Sequence, residues 1–296
     1  MSSHTTDCPA PIGSVQQPLK IHGGKAYLAD WIIGQMTPHV HYVEPFAGGL
    51  AVLLRKPCEG VSEVVNDQDG ELINFWRVLQ GPSMFEQLRR RLEATPFARE
   101  EFDQAESKPF NLNDSPDGKV FNLNNSAGDQ VERACRFFIR CRQSRQGLRK
   151  DFATLSRTRT RRGMNEQASA WWTAVEGLPW VYERLRRVVI LHDDACRVIR
   201  QQDGPDTLVY ADPPYVHATR VTTDDYAHEM TTEQHVELLE TLAGIRGRFL
   251  LSGYPNALYG DFAGRHGWRT VTRAIDCKAS SKTTKETRVE ALWRNY

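Results

Sequence analysis

The chain lacks the markers of export, membrane insertion and metal chemistry. No apolar run approaches the ~20 residues that span a bilayer. The opening MSSHTTDCPAPIG has no basic-then-apolar layout of a signal peptide, so a cytoplasmic protein with no membrane partner is expected. Six cysteines (Cys8, Cys58, Cys135, Cys141, Cys196 and Cys277) are scattered, with no C-x-x-C and no spaced histidine pair. That argues against zinc, and no metal is expected; the cysteines read as reduced, buried apolar residues. Net charge is also scarce, at +1 over 296 residues with 25% charged and 40% hydrophobic side chains, as in a globular protein.

The balance hides one local excess. Between Arg133 and Arg162 eleven Arg or Lys residues face a single acid, Asp151. Such a block predicts a phosphate-contacting surface. Within it Arg142, Gln143, Ser144 and Arg145 are candidates for reading base edges, since Arg and Gln bond guanine and adenine in bidentate fashion. Arg157, Arg159 and Arg161, with Lys20 from the N-terminal region, are candidates for DNA contact.

Residues 1–17 are polar and aperiodic and read as a mobile tail. From Ala26 to Met36 the apolar spacing suits a helix that Pro38 ends. HYVEPFAGGLAVLLR then predicts a short strand (His41 to Val43), a glycine turn and a helix. EVVNDQDGELINFWRVLQ repeats the theme, with Asp67 at the strand end. This rhythm indicates an α/β domain with a mainly parallel sheet. It breaks over residues 83–185, where FNLN occurs twice (Phe110 to Asn113, Phe121 to Asn124) around an SPDG turn and where VERACRFFIRCRQ and WWTAVEGLPWVYERLRR look helical. Trp171 and Trp172 read as core. The rhythm resumes with VVILHDDA and TLVYADPPY as strands, TTEQHVELLETLAGI as a helix capped by Thr231 or Thr232, and GRFLLSGY as a strand. VEALWRNY reads as a closing edge strand. The expected organisation is one α/β domain (18–82 and 186–296) interrupted by a helical insertion (83–185).

VEPFAGGLAV places Glu44, Pro45 and Phe46 at a strand's carboxyl end, with Gly48 and Gly49 opening the next element. Ligands of open α/β sheets sit in that crevice, and glycines there let a ligand approach the backbone. Adjacent glycines followed by Leu50 do not make the G-x-G-x-x-G cradle of a dinucleotide pyrophosphate. An acid beside the turn suits a cationic ligand, and Asp67 suits ribose hydroxyls. The crevice therefore looks built for a nucleoside without a pyrophosphate. His39, His41, His217 and His228 read as surface or packing residues.

With DPPY (Asp212, Pro213, Pro214, Tyr215) added, the constellation resembles the Dam-like DNA adenine-N6 methyltransferases. The match follows the family's order through LKIHGGKAYLADWI with Lys25, YVEPFAGG, VVND, HDDACRVI, YADPPY and VEALWRNY. The resemblance implies a Rossmann-like methyltransferase sheet with helices on both faces, plus an inserted, mainly helical target-recognition domain. It implies S-adenosylmethionine as cofactor, held by Ile21, Lys25, Glu44, Pro45, Phe46, Gly48, Gly49, Asp67, Asp194 and Asp212, and double-stranded DNA as substrate. The target base would be flipped and methylated in one step. Asp212 and the Pro213 carbonyl would grip the amino hydrogens, the two prolines would fix the backbone, and Tyr215 would stack on the base. Two departures stand out: Ile21 where the family often has Trp, and FAGG in place of F-x-G-x-G. The insertion resembles phage-type members; any restriction endonuclease partner is expected to be a separate protein. The alternative on the same chemistry is an amino-group methyltransferase acting on RNA or protein.

Overall fold

The computed structural model describes residues 15–21, 23–106, 126–215, 230–276 and 287–296. Nine strands and nine α-helices are found among them. The strands are β1 (His41–Glu44), β2 (Ser62–Asn66), β3 (Thr160–Arg161), β4 (Met164–Asn165), β5 (Val188–Leu191), β6 (Thr207–Ala211), β7 (Arg248–Gly253), β8 (Arg269–Asp276) and β9 (Thr287–Arg294). The helices are α1 (Ala29–Ile33), α2 (Gly70–Gln80), α3 (Pro82–Ala94), α4 (Arg99–Gln104), α5 (Ala127–Gln143), α6 (Glu166–Leu185), α7 (Ala195–Gln202), α8 (Thr232–Gly244) and α9 (Ala257–His266).

Seven strands form one sheet in the order β5-β2-β1-β6-β7-β9-β8. The first five are mutually parallel, and β9 and then β8 join antiparallel. The central parallel strands β1, β6 and β7 alternate their side chains between two buried faces, as a sheet covered on both sides must. Tyr42, Leu208, Tyr210 and Leu250 enter one core, while Val43, Val209, Phe249 and Leu251 enter the other. The first core is closed by α1, α2, α5 and α6, and the second by α7, α8 and α9. Chain order runs outward from β1 through β2 to β5, then returns to β6 on the other side of β1. The strand order therefore reverses between β1 and β6, where open sheets form their ligand crevice.

Local signals account for most boundaries. The Asp69 carboxylate accepts from Glu71 N and Leu72 N to start α2, whose Leu72, Ile73, Phe75, Trp76 and Leu79 are buried. Thr231 caps α8 in a reciprocal pair with Gln234. Four departures from expectation have physical causes. The segment after the glycine turn is a run of tight turns, because Gly48 and Leu50 take left-handed φ of 45° and 55°, which no helix admits. β9 is no edge strand: it lies between β7 and β8, with Glu290 to Trp293 buried, and the polar β8 takes the edge. Val15, in the expected tail, packs against the first core. The fourth concerns α3, α5 and α6, from the residues 83–185 expected as an insertion, which share the first core with the sheet. Phe138 stacks on Phe75 of α2 at 5.8 Å, Trp171 meets Phe138 at 5.3 Å, and Phe85 stacks on Tyr182 at 4.6 Å.

Among the described residues Cys58, Cys135, Cys141 and Cys196 are buried thiols outside any disulfide, as expected. Both FNLN copies, His217, His228, Cys8 and Cys277 lie outside the described residues. Among those residues no helix is long and apolar enough to cross a membrane.

Candidate active site

The carboxyl ends of β1, β2 and β6 and the loop after β5 bring four acids to one cavity: Glu44, Asp67, Asp194 and Asp212. Ile21, Lys25, Phe46, Gly48, Gly49, Pro213 and Pro214 share its wall. The site residues expected from the α/β half of the chain thus converge, apart from Pro45, whose carbonyl accepts from Asn66 Nδ2 at 3.1 Å behind the wall, and Tyr215.

Each acid is held differently. Glu44 is 3% exposed and accepts from Tyr42 OH at 2.9 Å; burial pushes its carboxyl up to about 8, against the Tyr42 bond that lowers it. Asp67 accepts from Gly48 N at 3.0 Å and from Asp69 N at 2.9 Å, so one carboxylate ties the glycine turn to the start of α2. Gly48 needs its left-handed φ, and a Cβ on Gly49 would meet the end of the Gln17 side chain. Asp194 caps α7 through Arg197 N at 2.8 Å and lines the cavity. Its neighbour Asp193 does not line it and pairs with Arg197 at 3.5 Å.

Asp212 stands 2.9 Å from Lys25 Nζ. Burial raises its carboxyl above the ordinary value, Lys25 opposes that shift, and Glu290 adds to it. Lys25 is 5% exposed. It donates to Tyr215 OH, lies 4.6 Å from the centre of that ring, and is 3.7 Å from Glu290 Oε1. Tyr215 OH donates to Glu290 at 2.7 Å, and Tyr254 packs on the Tyr215 ring with centroids 4.5 Å apart.

Sequence reasoning missed Glu290, Gln17 and Arg149 as site residues. Arg149, in the left-handed region at φ 61°, lines the cavity and reaches Asp69 at 3.4 Å. An acid amid the apolar run of VEALW was the available signal for Glu290.

The basic block divides. Arg145, Arg157, Arg159 and Arg161 are exposed, the last on the β3–β4 hairpin. Arg142, Gln143 and Ser144, expected at base edges, turn inward and bond within the protein. Arg142 is half-buried, its guanidinium donating to Ala170 O at 2.5 Å and pushed down to about 10 by burial. Gln143 is buried and donates to Pro96 O at 3.0 Å; Ser144 is buried and donates to Cys141 O at 3.3 Å. Lys20 is half-buried with its ammonium on Ser144 O at 3.3 Å. Burial lowers its pKa, and the Arg142 charge lowers it further. His39 and His41 are bonded to Thr37 O and Gln202 at 2.8 and 3.1 Å, which are packing roles.

Against known proteins, residues 22–264 match the model of the D12 class N6 adenine-specific DNA methyltransferases. No curated protein matches the chain. Among solved structures, one from Pyrococcus horikoshii, provisionally named an RNA methyltransferase, is similar with a TM-score of 0.36 and 11% identity over 94% of this chain and 87% of its own. So distant a likeness carries no argument about substrate.

Proposed function

The chain belongs to the D12 class N6 adenine-specific DNA methyltransferase family, and from that premise we propose that it methylates the N6 of an adenine flipped out of duplex DNA, in one direct step from S-adenosylmethionine. The observation that carries this mechanism is the convergence of Asp212, Pro213 and Pro214 with Glu44, Asp67 and Asp194 on one cavity at the strand reversal.

The donor set suits this cofactor. A row of acids disfavours a phosphate and favours a cationic ligand with hydroxyls and an exocyclic amine. Asp67 takes the ribose hydroxyls, Asp194 the adenine and Glu44 the cationic methionine end. The Gly48–Gly49 turn admits the ligand to the backbone, with Ile21, Pro45 and Phe46 behind and beside it and Lys25 fixing Asp212. Bound there, S-adenosylmethionine supplies a sulfonium-activated methyl group and carries away the electron pair of the broken carbon–sulfur bond.

The protein's part is to make a poor nucleophile competent. The adenine amino lone pair is delocalised into the ring. Asp212 and the Pro213 carbonyl accept its two hydrogens, favour a pyramidal nitrogen and free that pair for the methyl carbon. The surplus proton on the methylated nitrogen passes to Asp212, whose burial makes it a better acceptor than a surface carboxylate. Pro213 and Pro214 keep this backbone extended and out of any helix. Tyr215 gives the extruded base an aromatic surface worth ~1–3 kcal/mol, against extrusion that costs a few kcal/mol. Residues 83–185 carry target recognition, with Arg145, Arg157, Arg159 and Arg161 on DNA phosphates.

The test is transfer of labelled methyl groups into duplex DNA, tRNA and protein by the wild type and by Asp212→Ala. Incorporation at adenine N6 in duplex DNA is expected, with a loss of ~10²–10⁴-fold in kcat for the variant and DNA binding retained. Undiminished turnover by Asp212→Ala overturns the acceptor role, and preferential labelling of RNA or protein overturns the substrate.

A further inference from the structure

We infer that Glu290 is a positioning residue for methyl transfer, holding the Lys25 ammonium and the Tyr215 hydroxyl so that Asp212 is left to face the substrate amine as an acceptor. The inference rests on the acceptor role proposed for Asp212.

Glu290 lies on β9, 1% exposed, in a run where Ala291, Leu292 and Trp293 are apolar and equally buried. A buried carboxylate costs several kcal/mol unless it is paired and hydrogen-bonded. Its position in the sheet could be filled by an apolar side chain at no such cost. Its partners explain why it is an acid. Glu290 Oε1 accepts from Ser252 Oγ at 2.8 Å and from Tyr215 OH at 2.7 Å, and lies 3.7 Å from Lys25 Nζ. These three groups come from the end of β7, the loop after β6 and the N-terminal segment. One carboxylate thus ties together three separate pieces of the site. It does not line the cofactor cavity, so it acts through the groups it holds.

The charge count gives the network its purpose. One lysine lies between two carboxylates, at 2.9 Å from Asp212 and 3.7 Å from Glu290. With Glu290 ionised, the ammonium is shared. With Glu290 made neutral, Asp212 faces the ammonium without that competing charge, which stabilises the Asp212 carboxylate and weakens its grip on an amine. The other titratable groups around Asp212 are Glu44 on β1, Tyr210 on β6, and Tyr27, Tyr215 and Tyr259. Lys25 lowers the Asp212 pKa and Glu290 raises it, so removing the Glu290 charge moves the Asp212 titration to lower pH.

The experiment compares Glu290→Gln and Glu290→Asp with the wild type by pH profiles of kcat and by calorimetry with S-adenosylmethionine. For Glu290→Gln, cofactor affinity is unchanged, kcat on its plateau falls ~10–100-fold, the scale of a misplaced reacting group, and the acid limb shifts to lower pH. Glu290→Asp keeps the charge at shorter reach, so its plateau falls and its limb stays in place. An unmoved limb with kcat within about twofold for Glu290→Gln, or an equal limb shift in both variants, overturns the inference. Should Glu290→Gln fail to fold, an undiminished plateau in Glu290→Asp overturns it alone. If Asp212→Ala keeps its turnover, the acceptor assignment has failed instead, and Glu290 is then judged by whether kcat falls at all.

Discussion

The carboxyl edge of the sheet and the Arg133–Arg162 run are both clusters of like charge, and the fold treats them in opposite ways. At the sheet edge Glu44, Asp67, Asp69, Asp194, Asp212 and Glu237 share one cavity with two cations, Lys25 and Arg149, in its wall. In the basic run, acids distant in sequence arrive to meet the arginines. Arg133 pairs with Glu71 at 2.5 Å, Arg140 with Glu106 at 3.0 Å, Arg149 with Asp69 at 3.4 Å and Arg162 with Glu176 at 2.8 Å. Arg142 spends its guanidinium on a helix carbonyl. A charge that stays exposed is open to a ligand, whereas one that folding pairs with an acid or a carbonyl is part of the scaffold. The eleven basic residues of the run therefore should not act alike on DNA.

The largest effect outside Asp212 and Glu290 is expected at Asp67. Asp67→Asn keeps the shape and one acceptor oxygen but loses the charge. Hydrogen bonds to a charged group are worth ~1.5–3 kcal/mol, so S-adenosylmethionine affinity should fall roughly 10–100-fold. The salt dependence of DNA binding should stay as in the wild type. Calorimetry and DNA binding at several salt concentrations measure the two, and a matched loss of both would erase the distinction between the regions.

A smaller effect separates the two kinds of arginine. Arg159 is 76% exposed and its ion pair with Glu166, at 3.4 Å, lies at the surface where such a pair is weak, and Arg161 is exposed on its hairpin. Reversing both charges should flatten the slope of log affinity against log salt, by about 0.9 for each phosphate left unneutralised. Arg142→Gln should leave that slope alone and instead lower the melting temperature, because the Ala170 carbonyl loses its donor, worth roughly 1–3 kcal/mol. A slope that responds to Arg142 and ignores Arg159 and Arg161 would reverse the assignment.

The same contrast governs what could be read before folding. The α/β half was legible because its signals are local. A strand's end, a glycine turn and an acid one residue beyond β6 each occupy a short stretch of chain, and parallel strands bring their carboxyl ends together without further instruction. That Arg142 and Gln143 turn inward was not legible, because it is decided by partners at residues 170 and 96. Residues 83–185 did not disclose that Phe137, Phe138 and Trp171 would enter the sheet's own core, since an amphipathic helix shows which face is buried but not against what. Glu290 went unread for a related reason. Its donors lie 38, 75 and 265 residues away, and strand β9 itself takes its place inside the sheet only once β8 covers it.

The least of these effects tests whether the acidic cluster is kept at a cost. Glu44 has a carboxyl raised from 4.5 to about 8. The native state therefore holds a proton that the unfolded chain releases above pH 4.5. The stability this provides is full below 4.5 and is lost as pH rises through about 8. Glu44→Gln removes the titration, so its melting temperature should fall less than that of the wild type between about pH 5 and 8. A cationic cofactor at the methionine end favours the ionised carboxylate, so wild-type affinity for S-adenosylmethionine should climb with pH across the same window, and the Glu44→Gln affinity should stay flat. Parallel pH profiles for the two proteins, in melting and in cofactor binding alike, would mean that Glu44 is ionised throughout, and the sheet edge would then carry one more full negative charge at neutral pH than its burial allows.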